Sequence, residues 1–281
     1  MSAALLTDDA PTARKSTLPS DVRVTLPRVV RSEWLKFWSL RSSYFSIAGM
    51  VVAMIGLSVL VSTVTSSHWT RMKPAQQARF DPTAVSLRGY FLAQLVVGVL
   101  GVLVVTGEYG TGMIRSSVSA APRRLPVLIG KAAVFAVITV LVTTVAAVVA
   151  FLVGQQILSS QHIETTLGAA GVTRAVLGTG FYLTVVGLLG TGIGFIVRST
   201  AGSIATLFGL LLVLPVLGEA LPPDWADKIN PYLPSNAGQQ LLEAHPAPAP
   251  MLGPWAGFAV FCGYAVVALV VGAVLLKRRD A

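Results

Sequence analysis

The stretch GEYGTGMIRSSVSAAPRRLPVLIGK, residues 107–131, separates two long apolar runs and determines how the rest of the chain is arranged. The run before it, residues 90–106, and the run after it, residues 132–153, contain no charged residue. The stretch itself carries four basic residues and one acid, Glu108. Because Lys and Arg are enriched in the cytoplasmic loops of membrane proteins, we interpret it as a turn at the cytoplasmic face.

The composition of the chain is typical of a membrane protein. Of 281 residues, 54% are hydrophobic and 12% are charged, whereas soluble domains contain about 25% charged residues. Six apolar runs approach or reach the roughly 20 residues that a helix needs to cross a bilayer. They are residues 44–64, 90–106, 132–153, 176–197, 202–221 and 255–276, the second being short and expected to begin near Ser86. We predict an all-α integral membrane protein with six transmembrane helices.

The residues before the first run divide into two parts. Residues 1–22 are rich in Ser, Thr, Pro, Ala and Asp, which favours a disordered cytoplasmic tail. In residues 23–43, apolar and aromatic side chains recur every three or four positions, with bases and serines mainly between them. This pattern predicts an amphipathic helix in the membrane interface, in contact with anionic lipid, although a straight start of the first span is the alternative. Its central residues are Glu33, Trp34, Lys36, Phe37 and Trp38.

The distribution of basic residues predicts the topology. With six spans both termini lie on one side, and 15 of the 21 Lys and Arg residues fall on that side. The positive-inside rule therefore places both termini in the cytoplasm, even though residues 65–89 put four bases outside. The basic residues that give the chain its net charge of +9 flank the apolar runs, where their expected role is to determine topology. Nucleic acid is therefore not an expected partner.

Two features inside the apolar runs concern helix packing. Gly190 and Gly194 have the GxxxG spacing, which permits a close helix crossing, either at a dimer interface or gate or within one subunit. Pro215 lies inside the fifth run, where it is expected to kink or end the helix unless neighbouring groups satisfy the carbonyl that it frees.

No motif for catalysis or nucleotide binding is present. The one Gly-Lys pair, Gly130 and Lys131, is followed by Ala132, so it does not form a phosphate-binding loop. The His and Cys residues have no metal-ligand spacing. Apart from Glu219 near one end, the spans lack the intramembrane acids typical of ion-coupled transporters. We therefore expect no enzymatic activity, no cofactor and no metal on this chain, and an external energy source for any transport.

The stretch 107–131 and a later loop each predict a short helix. Thr111 can cap a helix at the cytoplasmic face, with Pro122 and Pro126 bracketing its end, and such a helix could bind a soluble partner. Glu108 could cap this helix, pair with Arg115 or with a base of the partner, or remain a solvated acid. In residues 230–244, Ser235 is a candidate cap, and Leu241 and Leu242 are candidate apolar contacts on the outer face.

Three segments together resemble a known family. SEWLKFWSLRSSY at 32–44, the stretch at 107–131, and INPYLPSNAGQQLL at 229–242 are similar to the permease subunits of type 2 ABC exporters, especially the six-span drug, peptide and antibiotic exporters of bacteria. The resemblance implies that residues 44–281 form the permease domain and that 230–244 is an external re-entrant region. It also implies a coupling helix, after the second span, that docks on a separate ATPase. The residues that match the family's coupling segment are Glu108, Thr111, Gly112 and Arg115, and we add Tyr109, Arg123 and Arg124 to the expected docking region. Arg123 and Arg124 could equally be topology determinants and contacts of lipid headgroups.

The resemblance further implies an assembly in the bacterial plasma membrane. Two ATPase chains, which bind ATP and Mg²⁺, would pair with two permease chains, the second permease being a copy or a paralogue. Two alternatives stay open from the residues alone. One is a secondary transporter or channel that works without an ATPase, and the other is a membrane scaffold or immunity protein that sequesters a toxic compound.

Overall fold

All the regular secondary structure in the part of the chain that the structure describes is helical. A computed structural model describes residues 25–39, 41–110, 124–245 and 249–278, without side-chain placement for Arg41 and Arg124. Five of the six spans are single helices: the first is α2 (Arg41–His68), the second α5 (Tyr90–Gly110), the third α6 (Arg124–Leu158), the fourth α7 (Val172–Val197) and the sixth α12 (Pro254–Arg278). The fifth span consists of α8 (Thr200–Phe208), a π-helical segment (Gly209–Val213) and α9 (Leu214–Glu219). The shorter helices are α1 (Leu26–Ser39), α3 (Pro74–Gln77), α4 (Pro82–Ser86), α10 (Pro223–Ile229) and α11 (Pro234–Gln239), and 3₁₀ turns cover Trp69–Arg71, Ser159–Gln161 and Asn230–Tyr232.

The six predicted spans are confirmed as six helices long and apolar enough to cross a membrane. The helices extend past most of the predicted run boundaries, and the starts of the second and third spans differ from prediction for identifiable reasons. The second span begins at Tyr90, not near Ser86, because Pro82–Ser86 is a separate short helix capped by the Asp81 carboxylate. The third begins at Arg124, with Pro126 in its first turn, where a proline removes no helical hydrogen bond.

The fourth span, α7, is the centre of the bundle. Of its most apolar 18-residue window, 78% is buried, against 22% in the first and fifth spans and 28% in the sixth. Glycines allow neighbouring backbones to approach it closely: a Cβ on Gly101 of the second span would overlap the Gly187 carbonyl of the fourth. Close approach of this kind replaces hydrophobic driving force in membrane helix packing.

The fifth span contains the distortion that its proline predicts. Pro215 has no N–H group to donate to the carbonyl four residues earlier. The turn that precedes Leu214–Glu219 is π-helical over Gly209–Val213, so the helix widens there rather than ending. Helical structure therefore continues through the proline to Glu219.

A polar cluster joins the outer segments to the centre at the end of the bundle opposite α1. The Tyr182 hydroxyl donates to Gln94 Oε1 at 2.7 Å, and Gln239 Nε2 lies 3.5 Å from the same hydroxyl. Leu241 and Leu242 are buried, as predicted. Ser235 is not the cap of this segment, because the helix begins at Pro234 with Leu233 at the N-cap position, and Ser235 is buried as the second residue of the helix.

Candidate functional site

Four charged side chains meet at one end of the bundle, and we name them the ion-pair quartet: Glu33, Lys36, Glu108 and Lys131. The Lys131 Nζ atom lies 2.7 Å from Glu33 Oε2 and 2.8 Å from Glu108 Oε1. The Lys36 Nζ atom lies 2.8 Å from Glu33 Oε1 and 3.5 Å from Glu108 Oε1. Each lysine therefore bridges both carboxylates, and the four formal charges cancel.

The quartet is largely removed from solvent. The side chains of Lys131, Glu33 and Glu108 are 4%, 5% and 11% exposed, and only Lys36, at 32%, is substantially accessible. Burying a charge is costly unless an opposite charge and hydrogen bonds compensate it. Because each buried member depends on partners from other helices, the quartet fixes α1 against the second and third spans.

The sequence of α1 places an acid among its apolar contacts. Val29, Glu33 and Phe37 are spaced four residues apart, so they share one helix face, and all three are buried. Glu108 lies in the last turn of the second span and Lys131 in the second turn of the third. The two residues therefore lie on either side of 111–123 in the chain, and their ion pair joins the last turn of the second span to the third span.

Opposing effects act on the two titratable groups of α1. Burial alone would raise the pKa of the Glu33 carboxyl, but the charges and hydrogen bonds of Lys131 and Lys36 outweigh it and lower this pKa below its usual range. Burial would lower the pKa of Lys36, but Glu33 and Glu108 outweigh it and raise that pKa. Both shifts favour the charged forms, so Glu33 and Lys36 are both ionised near neutral pH.

The aromatic residues of α1 pack in sequence along its C-terminal half. Trp38 contacts Trp34, Phe37 and Tyr44, with ring centroids 6.0, 5.8 and 5.3 Å apart. Trp34 is exposed and Phe37 is buried. A helix with one buried face and an exposed tryptophan is suited to the membrane interface, and that location stays a prediction.

Part of the predicted coupling region lies outside the described residues. Of its members, Thr111, Gly112, Arg115 and Arg123 are not described, nor is the short helix predicted there, and Arg124 is described only as the first residue of α6. Glu108 belongs to the quartet. The Tyr109 ring lies under the Arg198 guanidinium, 5.2 Å from it, so the hairpin between the fourth and fifth spans also meets the end of the second.

The two GxxxG glycines of the fourth span face the second span of the same chain. A Cβ on Gly190 would lie 2.7 Å from the Gly98 carbonyl oxygen, and one on Gly194 would lie 3.2 Å from Val105 Cβ. These glycines permit close contact between the second and fourth spans inside one subunit.

The sequence interpretation missed the role of Lys131, which it counted among the bases of a loop. Two signals were available in the sequence. Lys131 directly precedes 22 uncharged apolar and small residues. If the third span begins two turns before this apolar run, Lys131 lies within the helix, where its ammonium group requires an acid as its partner. Glu33 shares its helix face with Val29 and Phe37, which marks it as an acid that faces the protein.

Comparison with known proteins identifies the family. A search of curated proteins found no match. The family model for ABC-2 family transporter proteins matches residues 73–281, about three quarters of the chain. The match includes all the spans after the first, together with two of the three segments that carry the resemblance, 107–131 and 229–242, whereas 32–44 precedes the matched residues. The chain therefore belongs to the ABC-2 family of transporter proteins.

Proposed function

We propose that this chain, a permease subunit of an ABC-type transporter, works as the membrane half of an exporter driven by a separate ATPase subunit. The ATPase docks on the coupling region, Glu108 to Arg124, at the cytoplasmic face of the plasma membrane. Two permease chains, identical or paralogous, assemble with two ATPase chains. ATP and Mg²⁺ bind to the ATPase.

The ion pair between Glu108 and Lys131 is the observation that carries this proposal. It joins Glu108, where the coupling region begins, to Lys131 in the third span, seven residues beyond the end of that region, so a force on the region is expected to reach the second and third spans together. Glu33 extends the connection to α1, and the contact of Arg198 with Tyr109 extends it to the next hairpin. Displacement of the coupling region by the ATPase would therefore move these elements as one unit.

Charge reversal in the coupling region tests the docking. We expect Arg115→Glu to abolish ATP-dependent efflux of a dye or peptide from cells that co-express the cognate ATPase, with membrane insertion unchanged. The matched control is Arg278→Glu, an exposed base at the end of the last span, which should retain efflux. Co-purification of the ATPase should fall with the first variant only, because a repelled contact weakens binding.

The second arm of the test addresses the rival functions. Reconstituted chain without ATPase should move no cargo, and an ATPase that cannot hydrolyse ATP should abolish transport and protection together. Unaided transport would instead identify a secondary transporter or channel. Protection that persists with the inactive ATPase would identify a sequestering immunity protein, and normal efflux by Arg115→Glu would refute the assignment of the coupling region.

A further inference from the structure

The short helix α10, Pro223–Ile229, is covered by very little protein. Ala226 is the one residue of the seven that is not exposed. A helix shorter than about 12–15 residues is marginal in water, because few hydrogen bonds repay the cost of forming its first turn. Proline in the first turn, Asp224 near the start and Lys228 near the end favour the helix, but such local effects are small. A helix of this length therefore gains most of its stability from a surface against which it packs.

The two sides of α10 differ in chemistry. Trp225 and Ile229 are four residues apart, so they lie on one side, and they are 64% and 38% exposed. The charged residues are spaced at three and four positions and lie on the opposite side: Asp224, Asp227 and Lys228. The helix is therefore amphipathic, and its apolar side is left largely uncovered by the part of the chain that the structure describes.

Both ends of α10 are held close to the last turn of the fifth span. Residues 220–222 separate its start from Glu219, where that span ends. At its other end, Asn230 Nδ2 donates to the Gly218 carbonyl at 3.2 Å, and a Cβ on Gly218 would overlap the amide oxygen of Asn230. Because the ends of the spans define the level of the membrane surface, α10 lies at that level.

An exposed tryptophan marks the same level on the sixth span. Trp255 is the second residue of that span and is 63% exposed. The segment after α10 contacts the sixth span, because the Tyr264 hydroxyl donates to the Tyr232 carbonyl at 3.1 Å. Tryptophan is enriched at membrane–water interfaces, since its ring is apolar and its N–H group is polar. Trp225 and Trp255 therefore both occupy positions that suit interfacial tryptophans.

We propose that α10 lies in the membrane–water interface of the leaflet opposite α1, with Trp225 and Ile229 directed toward the acyl chains and the charged side directed toward water. The bilayer is the partner that this chemistry fits, because the apolar side continues onto Val216 and Leu217, exposed residues of the fifth span. The hydrogen bond to Gly218 ties α10 to that span, so the helix fixes the depth at which the span ends. This anchoring requires no ATPase.

Fluorescence of a single tryptophan in phosphatidylcholine vesicles tests the proposal. In the full-length chain with the other four tryptophans changed to phenylalanine, we expect Trp225 to emit at a shorter wavelength than indole in water. Phosphatidylcholine brominated near the headgroup should quench this emission more strongly than phosphatidylcholine brominated at the chain end, and more strongly than aqueous iodide, because an interfacial helix lies at the boundary of headgroups and acyl chains.

The matched control combines Trp225→Phe with Asp224→Trp and so places the sole indole on the charged side of the same helix. Its emission should be quenched by iodide more strongly than by either brominated lipid. Equal quenching profiles at the two positions, or stronger quenching of Trp225 by iodide than by lipid, would refute the proposal.

A second copy of the chain is the alternative cover for Trp225. Reconstitution at a low ratio of chain to lipid should leave the quenching of Trp225 by brominated lipid unchanged. Quenching by lipid that appears only on such dilution would assign the apolar side to a contact between chains and overturn the proposal.

Cysteine labelling tests the same placement in a chain that keeps its tryptophans. Ile229→Cys and Lys228→Cys, each combined with Cys262→Ser, place the only thiol on the apolar side and on the charged side. In vesicles that a water-soluble maleimide can enter, Ile229→Cys should react at least about tenfold more slowly, because its side of the helix lies below the headgroups. Equal rates would contradict the interfacial placement.

Discussion

At the scale of single residues, the two lysines of the ion-pair quartet differ in what their removal leaves behind. Lys131→Met leaves Glu33 and Glu108 buried with only Lys36 between them, and Lys36 lies 3.5 Å from Glu108. Removing one partner of a buried ion pair costs about 3–5 kcal/mol, mainly because it strands the opposite charge. We therefore expect Lys131→Met to unfold at a markedly lower temperature in detergent, as measured by loss of the monodisperse peak after heating.

Lys36→Met is the matched comparison for that experiment. Lys131 still contacts both carboxylates in this variant, and the lost lysine is 32% exposed. Its effect on the unfolding temperature should be clearly the smaller of the two. Equal effects would show that the quartet does not depend on its buried lysine.

The titration of Glu33 predicts how the docking of α1 depends on pH. Because its pKa is lowered in the folded chain, the stabilisation is complete above the ordinary Glu pKa of roughly 4.3 and is lost as pH falls through the folded value. Lys36 has a raised pKa, so its contribution is lost only as pH rises above its ordinary value of about 10.4. Docking of α1 should therefore be stable across the neutral range.

Comparison with Glu33→Gln isolates this titration from that of other acids. The wild type should be more stable than Glu33→Gln at pH 7. The difference between their unfolding temperatures should disappear at a pH below the pKa of Glu33 in the folded protein. A difference that stays constant down to pH 3 would exclude the ionised form of Glu33 as its source.

At the scale of helices, the glycines of the central packing make a sharp prediction. Gly101→Ala places a methyl group against the Gly187 carbonyl, and backbone cannot move aside as a flexible side chain can. Gly56→Ala in the first span meets nothing within 4 Å. Overpacking costs typically about 1–3 kcal/mol, so Gly101→Ala should lower the unfolding temperature and Gly56→Ala should leave it unchanged or raise it slightly. A similar response from both would show that the second and fourth spans are not in close contact.

The helices that the sequence predicted correctly are those whose signals are local. The spans were predictable because each is an apolar run with at most one charged residue and a length close to that needed to cross a bilayer. Pro215 predicted a distortion because its missing N–H is a local property. The separation of Pro82–Ser86 from the second span was not predictable from hydrophobicity, because it depends on the Asp81 cap and the turn that follows. The pairing of Glu33 with Lys131 spans 98 residues, and charge alone does not choose between distant partners.

At the scale of the whole molecule, a polar cluster at each end of the bundle includes the second span. The ion-pair quartet joins α1 to the second and third spans at one end. At the other, Tyr182 joins the fourth span to Gln94 of the second and Gln239 of the outer helix. The second and fourth spans are also in close contact between these clusters, so both ends of the bundle belong to one packed unit.

The orientation of this unit in the membrane gives the last prediction. Cys262 is the one cysteine of the chain, so Cys262→Ser provides a background for single-cysteine labelling. Thr70 is exposed after the first span and Ser199 is exposed between the fourth and fifth, so an odd number of spans separates them. With the basic flanks inside, Thr70→Cys should react with a membrane-impermeant maleimide in intact cells.

Ser199→Cys in the same background should react only after the membrane is permeabilised, because four spans place it on the side of α1 and the coupling region. An ATPase in the cytoplasm can reach residues 107–131 only if this result is obtained. Labelling of Ser199→Cys in intact cells, with protection of Thr70→Cys, would put the quartet and the coupling region outside and would contradict docking of a cytoplasmic ATPase there. Labelling of both in intact cells would contradict the six-span path between them, since one bilayer then could not separate the two positions.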